Sequence, residues 1–374
     1  MKKLIFRNLF WDITAFFLIT SISLTLIVWV IQAVNYLDFV SEDGHGFRVY
    51  FMYSLLSLPK IFSNLILFVF FISIFFTISK YEENNEILIF WNYGIKKTEF
   101  INQIIKFSLL YFAFSIVLSV FVVPKTQDLA KSFIRDSNID YFPSLIKTQH
   151  FNDTANNLTI FVEKKNTAGL IENIFIKENY NNKRSQIISA KQGLLIKKNN
   201  SYYLKLYNGN IINIDSKNTN IIKFEKSEFN LSKFGSKTTV FPKIQETDSL
   251  KLISCLNSFI KYKISYEDGL FRCNESSINE ILKETYKRLV LPFYILVSAF
   301  ISACLVIKSK NQNNFFKFRS IIFLIGFTII IYSEGSSNFL SFFDLTRSTL
   351  VLIPFILMII FYLILNSSNK FKPL

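Results

Sequence analysis

Histidine, cysteine and glycine are scarce in this 374-residue chain, which has two, three and ten of them respectively. With only His45 and His150, a histidine metal centre or a Ser/His/Asp triad has almost no material. No GxxxxGK[ST] phosphate loop, HExxH, GxSxG or paired CxxC occurs, so the sequence offers no catalytic residues, no metal ligands and no directly bound cofactor. Charge is thin too, at 18% of residues against about 25% in an ordinary soluble domain. What the chain has instead is 51% hydrophobic residues, 43 phenylalanines and a net charge of +15. That combination excludes a single soluble globule, a disordered chain and a collagen-like fibre. The basic residues are spread without a recognition motif, which argues against nucleic acid as a partner.

The charge is unevenly placed. Residues 125–288 hold 26 Lys+Arg and 17 Asp+Glu, and the flanks are apolar. Six stretches suit helices that cross a bilayer: roughly 12–37, 54–79, 101–123, 289–307, 319–340 and 348–366. The fifth has the shortest clean apolar run, because Ser333-Glu334-Gly335-Ser336-Ser337 interrupts it. The first is too long, and lacks a cleavage site, for a signal peptide. Twelve cations (Lys2, Lys3, Arg7, Lys80, Lys96, Lys97, Lys308, Lys310, Lys317, Arg319, Lys370 and Lys372) fall on one side of these spans. Only Arg48, Lys60 and Arg347 flank the short loops opposite. Positive charge stays inside, so both termini are expected in the cytoplasm and 125–288 across a bacterial inner membrane, in the periplasm.

The expected organisation is therefore a polytopic α-helical membrane protein with an inserted β-rich domain. Residues 1–124 carry spans one to three, 125–288 the domain and 289–374 spans four to six. Within 158–232 apolar and polar residues alternate in short runs, the mark of half-buried antiparallel strands. Asn199-Asn200 and Asn208-Gly209 supply turn chemistry, and five or more strands suggest a sandwich or jelly-roll-like module. Beyond about residue 246 the pattern turns helical, and 276–288 reads as an amphipathic helix running into span four. The domain's excess of positive charge suits an anionic partner, or simply keeps a surface wet. Cys255 and Cys273 share the oxidising side, free to pair or not, and Cys304 sits in a span as packing. Glu334 is the one acidic candidate for an intramembrane polar site; it suits a functional role, or a place at the water interface among its neighbouring serines.

The most informative stretch is 80–99, KYEENNEILIFWNYGIKKTE. Glu82, Glu83 and Asn84-Asn85 suit a helix start, and Ile87, Phe90 and Trp91 recur at i, i+3 and i+4. Gly94 is placed to end the helix, before Lys96-Lys97. This predicts a short amphipathic cytoplasmic helix at about 82–95. Its apolar face needs the bilayer surface or a partner's groove, and three glutamates argue for the partner.

Spans in threes around a β-rich domain, with this helix after span two, resemble the LptF/LptG permeases of the lipopolysaccharide export ABC transporter. The local likeness runs through Asn85-Glu86-Ile87 and Trp91-Asn92-Tyr93-Gly94-Ile95, similar to that family's coupling helix. Glu284-Thr285-Tyr286-Lys287-Arg288-Leu289, with Pro292, is similar to its entry into span four. Gln149-His150-Phe151 and Leu158–Glu163 look more like the F-type than the G-type subunit. The resemblance implies a heterodimer with a second permease of this family, on a cytoplasmic ABC ATPase dimer that uses the ATP. Glu86, Ile87, Phe90, Trp91, Gly94 and Ile95 would form the ATPase-coupling element. It also implies lipopolysaccharide as cargo and a periplasmic jelly-roll bridge protein as receiver, toward the outer membrane. One departure is that residues 32–38 lack the basic residues such permeases often carry near the end of span one. Competing readings are a six-span sensor or scaffold, and an ABC permease for another lipid or lipoprotein.

Overall fold

A computed structural model of the chain describes residues 2–37, 47–137, 148–155, 158–166, 170–181, 184–198, 201–215, 219–231, 243–262, 266–268, 271–340 and 346–368. His45 and Asn199-Asn200 lie outside these residues. The chain divides into two compact units: 1–30, 57–128 and 242–374 form one, 31–56 and 129–241 the other.

The first unit is helical. Its long elements are α1 (Lys2–Tyr36, whose last residues belong to the second unit), α3 (Leu58–Glu83), α5 (Lys97–Val117), α10 (Phe315–Ser336) and α11 (Thr346–Ser368); α2 (Phe47–Leu56), before α3, falls in the second unit. Between α3 and α5 lies the short α4 (Ile87–Asn92), and α5 runs through a π turn (Leu118–Val122) into α6 (Val123–Ser137). Among the described residues five helices are long and apolar enough to cross a membrane. The number is six if the bent pair α8 (Ile278–Leu289) and α9 (Phe293–Ala303, continued as a 3-10 turn to Ile307), with 46° at the break, is counted as one span. Span five, doubtful in the sequence, is helical straight through Ser333-Glu334-Gly335-Ser336. Helical backbone satisfies its own hydrogen bonds, so these polar residues cost little continuity.

Burial separates the helices. Residues 297–303 of α9 are all buried, as are Phe70, Phe71, Ile74 and Ile78 of α3, so these two form the interior of the bundle. By contrast α1, α10 and α11 turn Ile19, Ile31, Ile321, Leu324, Leu352 and Ile359 outward, each more than half exposed. Apolar faces of that extent need a hydrocarbon solvent. Cys304 is buried, as its packing role required.

Residues 242–288, grouped with the strands by sequence, fall instead in the helical unit. They make α7 (Ser249–Tyr262), a hairpin of β7 (Tyr266–Asp268) and β8 (Phe271–Cys273), then α8. Cys255 and Cys273 are joined by a disulfide, and they pack with Leu252, Ile278 and Ile281 in a small core of their own. A local core plus a cross-link explains why the segment is more than a linker.

In the second unit six antiparallel strands, β1 (Phe151–Ala155), β2 (Leu158–Lys165), β3 (Leu170–Asn181), β4 (Arg184–Lys198), β5 (Ser201–Asp215) and β6 (Thr219–Asn230), lie in chain order. Among the described residues this is one sheet in meander order, without the Greek-key crossovers of a jelly roll. The period-two expectation holds: Leu158, Ile160 and Val162, Ile174 and Ile176, Ile188 and Ala190, and Leu204 and Leu206 share the buried face. Asn208-Gly209 is not a turn. Pairing continues on both sides of it, Tyr207 with Gln192 and Gly209 with Ala190, while Asn208 takes a positive φ of 50°. A Cβ on Gly209 would lie 2.2 Å from the Ser189 carbonyl, so glycine here permits close strand approach.

Candidate functional site

Two places in the helical unit concentrate the residues singled out by sequence, and they lie at opposite ends of α3.

At its C-terminal end, Glu82 and Glu83 close α3 and do not start the next helix. The Glu82 carboxylate accepts the Lys310 backbone N–H at 2.7 Å, and Arg319 donates to Glu83. The chain then turns through Asn85, at a φ of 61°, and Glu86 N–H closes back on the Tyr81 carbonyl at 2.8 Å. The helix that follows is only Ile87–Asn92. Gly94 ends it as expected, at a φ of 68°. Its N–H reaches Trp91 O at 2.9 Å and that of Ile95 reaches Phe90 O at 3.0 Å, the paired bonds of a Schellman cap.

The apolar face is where the structure departs from the sequence reading. Ile87 is 2% exposed and Phe90 1%, and Ile95 is buried beside them. Phe90 meets Phe100 edge-on at 5.1 Å between centroids and Phe6 at 5.5 Å, and Trp91 meets Phe100 at 5.9 Å. Thus Ile87, Phe90 and part of Trp91 pack the helix onto the chain's own bundle. The reason is its length: a six-residue helix cannot hold itself together and borrows stability from packing. What it turns outward is Leu88, Ile89 and Tyr93, each 46–48% exposed, with Asn92 and the half-buried Glu86. The signal for this second apolar side was present in the unbroken run Ile87-Leu88-Ile89-Phe90-Trp91, which is apolar all round.

At the other end of α3, Glu334 of α10 lines a cavity of about 220 Å³ with Lys60, Asn64, Glu284, Lys287 and Arg288. Its neighbouring serines do not serve its carboxylate. Ser333 and Ser336 donate to the carbonyls of Ile330 and Ser333, and Ser337 to the carbonyl of Glu334 itself. The Tyr286 hydroxyl pairs with Ser336 Oγ at 3.1 Å. Beside the cavity Arg288, 3% exposed, uses four donors: Nε to Glu284 Oε1 at 3.0 Å, Nη1 to Thr247 O and Ser249 Oγ, both at 2.8 Å, and Nη2 to Gln245 O at 2.9 Å. A buried guanidinium held this fully is a fixed structural charge. Arg288 was quoted from the sequence only for family likeness; its role shows in the fold.

The comparisons with known proteins fit this layout. The chain is 22% identical over 184 residues to an uncharacterized protein of Rickettsia prowazekii (strain Madrid E), which covers 49% of this chain. The chain spans about half the length, 51%, of that curated relative. The family model described as "Lipopolysaccharide export system permease LptF/LptG" matches residues 7–367, through both sets of helices and the sheet between them. By a match over nearly its whole length, the chain belongs to the LptF/LptG family of multi-pass inner-membrane permeases of the lipopolysaccharide export system.

Proposed function

We propose that this chain is one permease half of an ABC transporter that extracts lipopolysaccharide from the inner membrane, and the F-type half. Both termini and α4 lie in the cytoplasm, and the sheet lies in the periplasm, as the cation bias argues. A second LptF/LptG-type chain completes the lipid path. A dimeric cytoplasmic ATPase binds and hydrolyses the ATP.

The observation that carries the reading is a short helix whose inner side is locked into the bundle while its outer side keeps Leu88, Ile89 and Tyr93 exposed. A rigid element with an apolar outer face is suited to pass the ATPase's closure into the spans, and Glu86 adds a charge that fixes register. The relay then runs through Phe90 into Phe6 and Phe100, at the starts of spans one and three. The docking surface is therefore Glu86 with Leu88, Ile89 and Tyr93, while Ile87, Phe90, Gly94 and Ile95 position it. Among the described residues β6 is an edge strand of the sheet, and Ile221 and Ile222 are more than half exposed. An edge strand among the described residues suits strand addition to a jelly-roll bridge protein that receives the lipid.

The test is co-purification with an ABC ATPase, then ATP-driven release of lipopolysaccharide from proteoliposomes. Glu86→Lys, and separately Leu88→Asp, should weaken ATPase binding by roughly 2 kcal/mol, about 30-fold, with the permease still folded. An ATPase that stays bound to both variants removes the docking assignment. A wild-type complex that hydrolyses ATP but moves no lipopolysaccharide removes the transport reading.

A further inference from the structure

Two irregular helical segments meet beside the polar cavity, and each is completed by a hydroxyl from elsewhere in the chain. Span four breaks between α8 and α9, where Pro292 follows Arg288 by four residues. Proline has no N–H, so the Arg288 carbonyl lacks its helical donor. Ser119 Oγ lies 3.1 Å from that carbonyl and donates to it. The same proton is within reach of the Ser115 carbonyl at 2.9 Å and that of Ile116 at 3.3 Å in its own helix, so it is shared. Ser119 itself stands in the π turn of span three, a one-residue irregularity of a kind that often marks functional sites.

The second hydroxyl is Ser249 Oγ. It donates to the Val120 carbonyl of that π turn at 2.8 Å and accepts from Arg288 Nη1 at 2.8 Å. The remaining Arg288 donors hold Thr247, Gln245 and Glu284. Residues 242–249 are where the chain re-enters the helical unit after the sheet, and the π turn leads into α6, by which it leaves. Two of the sheet unit's connections are thus tied to one another at their roots, and both to the break in span four. Ser119, Gln245 and Arg288 also line the cavity that holds Glu334 and Lys287.

We infer that Ser119, Ser249 and Arg288 form a positioning joint. Through it the segments 118–122 and 245–249, which lead to and from the sheet, and the cavity wall move as one piece during transport. The inference rests on the transport reading for its functional half. It concerns coupling at the Lys60 end of α3, beyond the ATPase contact at α4.

The experiment uses full-length chain with its partner permease and ATPase, and compares Ser119→Ala, Ser249→Ala and their hydroxyl-retaining Ser→Thr counterparts. Lipopolysaccharide released per ATP hydrolysed should fall roughly fivefold or more in each alanine variant, the size of one buried hydrogen bond. ATP hydrolysis and thermal stability should stay near wild type, and threonine should restore the ratio. Amide exchange on the purified complex should quicken in peptides covering 116–124, 243–250 and 286–295 and nowhere else. An unchanged release-to-hydrolysis ratio in both alanine variants overturns the joint. So does a parallel fall of hydrolysis, release and melting temperature, which marks a merely structural role. If the wild type itself releases no lipid, the transport reading fails, and unchanged exchange in the alanine variants still overturns the joint separately.

Discussion

The two ends of α3 differ in what packs around them: interlocked rings at one, where polar bonds only flank them, and a buried polar network at the other. Around Tyr81 the packing is aromatic, with Phe6, Phe90, Phe100 and Trp91 ring against ring, and polar bonds from Tyr81 to Asp12, Lys310 N–H to Glu82 and Arg319 to Glu83 surround it. Around Lys60 the contacts are polar and directional: Lys60 Nζ to Gln245, Arg288 to four acceptors, Tyr286 to Ser336. Ring packing resists pulling apart but specifies few angles. A saturated guanidinium specifies angles and punishes any partner that leaves. The first end suits receiving a push, and the second suits holding a geometry.

Breaking the aromatic end should have the largest effect. Phe90→Ala removes a ring that touches three neighbours and should cost about 3–5 kcal/mol, as a core cavity does. Thermal unfolding in detergent should show it, together with loss of ATPase binding, because α4 has no other anchor of that size. If Phe90→Ala leaves ATPase binding intact, the aromatic end is not what positions the helix.

The fold behind this comparison was largely legible. Apolar runs located the spans and alternation located β2 to β6, because both signals depend only on the solvent each face meets. The joint was not, since its bonds join residues as far apart as Ser119 and Arg288. Nor was the inward turn of Phe90: Ile87-Leu88-Ile89-Phe90-Trp91 is apolar on every side, so periodicity could not say which side the bundle would take.

Next in size, on the polar side, is the disulfide. Replacing Cys255 and Cys273 together by serine opens a loop of 18 residues and should cost about 3 kcal/mol by loop entropy. The loss should appear as faster proteolysis within 249–273, with the ATPase still bound. If the loss reaches α4, the two ends of α3 do not act separately. The smallest effect sharpens the aromatic end: Gly94→Ala forces a side chain into a left-handed conformation at a cost of about 1–2 kcal/mol. Nothing crowds that position, so the cost is conformational alone. Lowered ATPase affinity with a small drop in melting temperature is the expected outcome.

By itself the sequence determined the class of molecule, its spans and the position of its short helix, since composition and period respond to local surroundings. Gly94 could be read in advance because a helix end needs a left-handed residue whatever lies around it. Only the tertiary structure decided that Asn208-Gly209 continues a strand, that residues 242–288 join the helical unit, and which side of α4 faces out. It also decided that a proline's missing donor is replaced by a serine on another helix. Each of these depends on what sits opposite in space, and one chain read in order carries no measure of that distance.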